Sequence, residues 1–292
     1  MGALSVVTLI VQGVVVCKIV RTNMCAIAAL RAVKLVASTI RATSTLLSKV
    51  LRRNSKINRL RKIDYRSLYS PLNAKTWQCE LAGDEDETFL ADGIINGFQM
   101  ANINTQFTDV NMRNYKSATN PAIRPLVEKT IRDEIQQGNY VISATKPTVV
   151  SALGAIPKPN STEVRLIHDC SRPHGHAVND FISTRSFKFQ TLDDAIKLLK
   201  PNYFMAKIDL KHAYRSVPIH PANYQATGCK WRFSGDDFDT FFYDTRLPFG
   251  AKSSPEIFHR LTQAVRLMMA KRGFLHVIVY LDDFLVIGAT QA

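Results

Sequence analysis

His276-Val277-Ile278-Val279-Tyr280-Leu281-Asp282-Asp283-Phe284-Leu285-Val286-Ile287-Gly288 decides how the rest of the chain is read. Two apolar runs rich in Val, Ile, Leu and aromatics flank a pair of adjacent aspartates. That pattern predicts a β-hairpin with the acids at its tip. Two like charges about 4 Å apart at an effective dielectric near 20 cost about 4 kcal/mol. A solvated turn tolerates that repulsion, and so does a site that holds cations. The choice between them lies upstream.

Immediately upstream, Leu247-Pro248-Phe249-Gly250 reads as a tight loop, and a helix is predicted from Glu256 to Lys271. Ile257, Phe258, Leu261, Val265 and Met268 form its apolar stripe, which reads as core packing. Pro248 and Gly250 suggest a backbone that approaches a ligand closely. Further back, Tyr203 to Leu210 reads as a strand carrying Asp209 near its end, with a turn or short helix at Lys211-His212-Ala213-Tyr214. An acid on a buried strand is costly unless something cationic meets it; as a lone residue, Asp209 reads more often as a helix cap than as a ligand.

Ser151 to Ile156 and Val164 to Asp169 are predicted to pair as a hairpin around the turn at Pro157-Lys158-Pro159-Asn160-Ser161. Lys158 at its tip and Arg165 on its second arm could clamp a polyanion, or be ordinary solvated charge. His168, Cys170, His174 and His176 are close in sequence but match no zinc spacing. Between residues 64 and 150 the pattern is scaffold. An acidic turn spans Asp84 to Glu87, a short apolar stretch runs from Phe89 to Phe98, and an amphipathic helix is predicted from Leu126 to Gln137.

Of the formal net charge of +14, the first 63 residues hold +12: they contain twelve Lys or Arg and no acid. Ile27 to Leu51 repeats apolar residues at helical spacing opposite Arg31, Lys34, Arg41 and Lys49, which suits nucleic acid, an anionic membrane or water alone. Met1 to Cys17 is apolar, but shorter than the roughly 20 residues of a spanning helix. The five cysteines are scattered and form no CxxC, as in a reducing, intracellular setting; nucleus and cytoplasm are not distinguished.

In this order the pieces closely resemble reverse transcriptases. The resemblance rests on the basic hairpin, Asp209 followed by an aromatic, the LPFG loop with its helix, and Tyr280-Leu281-Asp282-Asp283, and it covers about Ser151 to Gly288. The wording DLKHAYRSVPI (209–219) and RLPFGAKSSPEIFHRL (246–261) is most similar to retrotransposons of the DIRS type. The resemblance implies an α+β right-hand polymerase in three parts. Residues 1–63 would be a helical basic extension and 64–150 a connecting segment. Residues 151–292 would form fingers and a palm with a ferredoxin-like antiparallel sheet. The family continues with a primer grip and a thumb. The chain stops nine residues after Asp283, so an absent thumb, open sheet edges and weak or no extension are expected.

The same resemblance implies roles by position. Asp209, Asp282 and Asp283 would hold two Mg²⁺ ions, with Mn²⁺ as a substitute, for transfer of dNTPs to a primer 3′-hydroxyl. Lys158, Arg165 and the backbone N–H groups of Leu210, Lys211, His212 and Ala213 would meet the triphosphate. Tyr214 would exclude a ribose 2′-hydroxyl. Phe249 and Gly250 would line the templating pair, and Tyr280 and Leu281 the primer end. The implied partners are an RNA or DNA template with primer, and no stable membrane insertion. The competing readings are a non-catalytic nucleic-acid-binding remnant that uses residues 1–63, and a membrane-associated protein.

Overall fold

The computed structural model describes the backbone of residues 5–11 and 14–20 and all atoms of 72–159, 161–201, 203–210 and 212–289. The first two stretches are strands, β1 (Ser5–Val11) and β2 (Val14–Val20), paired antiparallel. The extension expected to be helical over 1–63 therefore opens with a hairpin, and its amphipathic stretch 27–51 lies outside the described residues. Two helices follow: α1 (Ala74–Leu81), started by the Asn73 side chain accepting from Thr76 N at 3.1 Å, and α2 (Glu87–Asn96).

Next come β3 (Val110–Asn111), α3 (Lys116–Thr119), α4 (Arg124–Gln136) and β4 (Tyr140–Ile142). Pro125 starts α4, where its missing N–H costs nothing, and Val127 and Ile131 are fully buried. After β5 (Val149–Val150), strands β6 (Ala152–Pro157) and β7 (Val164–Asp169) form the expected hairpin. Helix α5 (Leu192–Leu198) opens on a reciprocal Thr191–Asp194 cap. Then come β8 (Phe204–Leu210), β9 (Gly228–Trp231), β10 (Thr240–Asp244), α6 (Ser254–Lys271), β11 (Val277–Tyr280) and β12 (Asp283–Gly288).

The strands form a five-stranded antiparallel sheet ordered β1-β2-β8-β12-β11, a mixed five-stranded sheet ordered β3-β5-β9-β10-β4, and the separate β6-β7 hairpin. The fold is mixed α+β, as the sequence implies. The first sheet explains the unbroken apolar run at 276–288. Val277, Val279, Phe284, Val286 and Ile208 pack with Met269 of α6, while Ile278, Leu285 and Ile287 pack with Ala195 and Leu198 of α5. Strands covered on both faces need apolar residues at every position, not every second one. Strand β2 pairs with β8, setting Val14 opposite Leu210 and Val15 opposite Asp209.

Candidate active site

Strand β8 runs antiparallel to β12, and their register sets Asp209 directly opposite Asp283 although 74 positions separate them. The Leu210 N–H donates to the Asp282 carbonyl at 3.0 Å and carries the ladder one step past the pair. Two residues, Leu281 and Asp282, make the hairpin tip between Tyr280 and Asp283. Leu281 has φ 51° and His212, three residues after Asp209, has φ 62°. They are the two non-glycine residues with positive φ among the described residues, and both flank the acids. Each left-handed residue costs about 1–2 kcal/mol, and such strain concentrates where function fixes the backbone.

Burial, then the charges of Asp282 and Asp283, push the Asp209 carboxyl above the usual carboxylate range, while Lys207 pulls the other way. Lys207 Nζ lies 3.0 Å from Asp283 Oδ1, with both side chains about half exposed. That oxygen is buried yet receives no hydrogen bond of acceptable geometry. Three carboxylates, one with an unused oxygen, suit a hard divalent cation that takes oxygen ligands. As they stand, no three His, Cys, Asp or Glu side chains among the described residues are arranged to hold a metal ion.

The other expected residues fall into two groups. Tyr214 is 9% exposed, with its ring 5.1 Å from Phe249 and 5.3 Å from Phe258. Burial, then Asp282 and Tyr280, raise its hydroxyl to about 12, so Tyr214 sits within the field of Asp282. Tyr280 is half exposed against Phe189, ring centroids 5.0 Å apart. The Arg165 guanidinium lies 5.8 Å over the Phe249 ring, which ties the basic hairpin to this cluster. Lys158, by contrast, is spent locally on Glu163 at 2.6 Å. The Leu210 N–H, expected to face a triphosphate, is taken by Asp282, and Lys211 lies outside the described residues.

Gly250 packs closely against the backbone of β7. A Cβ there would lie far inside contact distance of the His168 carbonyl oxygen, and φ is 134°. The His168 N–H in turn donates to the Phe249 carbonyl at 3.0 Å. Asn179 holds the loop from the other side, donating to the Gly250 carbonyl at 2.9 Å and accepting from Lys252 N at 2.8 Å. Nothing in the sequence near Asn179 signals that contact.

His168 is a core residue, buried beside Cys229 with Nδ1 3.4 Å from Sγ. Burial, with Arg215 adding to it, lowers its pKa to about 4. The unfolded chain therefore binds the extra proton first, and stability that is whole above about pH 6.5 is lost as pH falls toward 4. Denaturant unfolding across that range should lose up to about 3 kcal/mol, and His168→Gln should flatten the dependence.

Sequence reasoning also passed over Lys207, legible as the residue two before Asp209 on the same strand face, and Arg215. The Arg215 guanidinium, beside Tyr214 in sequence, meets Glu134 at 2.7 Å and Asp244 at 2.6 Å, and all three are largely buried. Burial opposes its charge, but Asp244 and Glu134 outweigh that and hold it cationic. Those partners are 81 and 29 positions away, so only folding reveals them.

Among the described residues no helix is long and apolar enough to cross a membrane. Residues 156–292 match the family described as reverse transcriptase (RNA-dependent DNA polymerase). The chain is 25% identical over 182 residues to the retrovirus-related Pol polyprotein from transposon 412 of Drosophila melanogaster, covering 61% of this chain and 13% of that protein. It is 28% identical over 128 residues to protein P of duck hepatitis B virus (strain China), covering 44% and 15%. The chain thus spans only a small part of the curated relatives it matches.

In structure it is similar to prototype foamy virus protease-reverse transcriptase (TM-score 0.48, 23% identity, 66% of this chain and 23% of that one). It is also similar to the foamy viral enzyme in complex with dsDNA (TM-score 0.49, 19% identity, 75% and 46%). Residues 156–292 match the reverse transcriptase family, and the chain has homology to retrotransposon Pol and hepadnaviral protein P.

Proposed function

We propose that this chain carries the fingers and palm of an RNA-directed DNA polymerase from a retroelement, adding dNTPs to a primer 3′-hydroxyl on an RNA or DNA template. The observation that carries the reading is the opposition of Asp209 and Asp283 on neighbouring strands, with Asp282 bonded to the next residue of β8. The acids suit Mg²⁺ or Mn²⁺, which when bound would activate the hydroxyl and neutralise the triphosphate and leaving pyrophosphate. Asp209 and Asp282 would be the principal ligands and Asp283 the supporting acid. The wording at 209–219 and 246–261 favours a DIRS-type source.

The chain's own groups supply the positioning. Tyr214, wedged by Phe249 and Phe258, would present a rigid wall to C2′ of the incoming sugar. Arg165, held over Phe249, would offer a guanidinium to the phosphates; Lys158 would have to leave Glu163 to join it. Tyr280, half exposed at the tip, would support the primer end.

The test is extension of a DNA primer on an RNA template with Mg²⁺, dNTPs and rNTPs compared. Wild-type protein should strongly prefer dNTPs. Tyr214→Ala should improve relative rNTP use by at least about tenfold, the usual worth of a small steric exclusion. Extension with unaltered sugar preference in Tyr214→Ala would remove the assigned gate. No extension under any metal or template, together with no binding of Mn²⁺ by the wild-type chain, would remove the polymerase reading.

A further inference from the structure

We propose that Lys207 is a resident counter-cation of the acid cluster, displaced from Asp283 when a divalent ion loads, so that it sets the ion concentration at which the site fills. This rests on the reading of Asp209, Asp282 and Asp283 as metal-binding acids and adds a residue which that reading does not use.

Four features of the site carry the inference. Lys207 and Asp209 are two apart on β8 and therefore share a face of the sheet. Lys207 pairs across the ladder with Leu285, which makes Asp283 its diagonal neighbour, within reach of a long side chain. Nζ comes within 3.0 Å of Asp283 Oδ1, and the charges of Asp209 and Asp282 act on the same ammonium. One cation thus faces all three acids.

The fourth feature is that the pairing is incomplete. Oδ1 is buried, and its 3.0 Å contact with the ammonium lacks good hydrogen-bond geometry. The side chains are 55% and 42% exposed, and a solvated pair of that kind is easily broken. Lys207 can swing into water on its four-carbon stem, whereas Asp209 and Asp283 are fixed on paired strands and Asp282 in the two-residue tip between β11 and β12. An ion arriving at the cluster meets Asp209 and Asp283 already paired across the ladder, and one monovalent competitor that can leave. An ordinary surface ion pair would have no such effect on metal affinity.

The experiment is a Mn²⁺ titration of the full chain followed by EPR of the free ion, at constant ionic strength, on wild type, Lys207→Met, Lys207→Arg and Asp283→Asn. Because Lys207 is largely exposed, its replacement leaves the core intact; thermal melts check this. Lys207→Met should bind Mn²⁺ about five- to tenfold more tightly than wild type, Lys207→Arg should stay within about twofold, and Asp283→Asn should bind more weakly. Equal or weaker binding by Lys207→Met, with wild type still binding, would overturn the role of Lys207 and leave the metal site standing. An arginine variant that binds as tightly as the methionine variant would overturn it too, since charge would not be the cause. No Mn²⁺ binding by wild type or Lys207→Met would overturn the metal reading itself, and this proposal with it.

Discussion

Asp209→Asn should lower primer extension by at least about a thousandfold while the protein, without added ion, melts at the same temperature or a higher one. The two effects have opposite signs for one reason. In the folded chain Asp209 is held opposite Asp283, and burial, then the charges of Asp282 and Asp283, raise its pKa, so the fold works against its ionised form. Replacing one acid by a neutral isostere removes that repulsion, worth about 1 kcal/mol at a partly exposed site. Catalysis loses what the repulsion was for. Without a full set of oxygen ligands, charge developing on the nucleophile and leaving group goes unmatched, and that stabilisation is worth several kcal/mol. Steady-state extension and a thermal melt on one preparation check both halves. A loss of activity that merely follows a loss of stability would mean that Asp209 is structural.

The second large effect belongs to a residue that takes no part in chemistry. Gly250→Ala should destabilise the fold by about 4 kcal/mol, enough to leave much of the protein insoluble or unfolded. A methyl group there would collide with the His168 carbonyl, which belongs to a paired strand and cannot yield, and the residue sits at φ 134°. Gly175 provides the control. Its φ is 80°, but a Cβ would meet nothing within 4 Å, so Gly175→Ala should cost only about 1 kcal/mol. Urea unfolding of the pair separates backbone strain from collision; equal costs would show that the LPFG loop is not pinned to β7.

Much of this site is legible in the sequence because its elements are local. The hairpin at 277–288, strand β8, the β6-β7 pair and α6 each announce themselves by apolar pattern and turn residues, and their bounds fall within a few residues of expectation. What escaped was fixed by distant partners. Residues 70–87 read as loop with an acidic turn and Phe89 to Phe98 as a short apolar stretch, where the fold has helices α1 and α2. In fact Asp86 and Phe89 serve as docking points for Arg260 of α6, the guanidinium 3.3 Å over the Phe89 ring. No local pattern announces a partner 174 positions away. Strands β9 and β10 are only four and five residues long, and the turn between them carries more acid than strand signal. The hairpin at 5–20 had a readable cue, two β-branched runs around Gln12-Gly13, but length against a membrane span drew the attention instead.

The account stands or falls on acids from two distant segments acting on one cluster of ions. The direct test is a double-mutant cycle in Mn²⁺ affinity, with Asp209→Asn, Asp282→Asn and the combination. If the acids share the ions, each single change weakens binding at least about tenfold, and the double loses little more than the worse single. Independent, fully additive losses, or single variants that bind Mn²⁺ as wild type does, would contradict it.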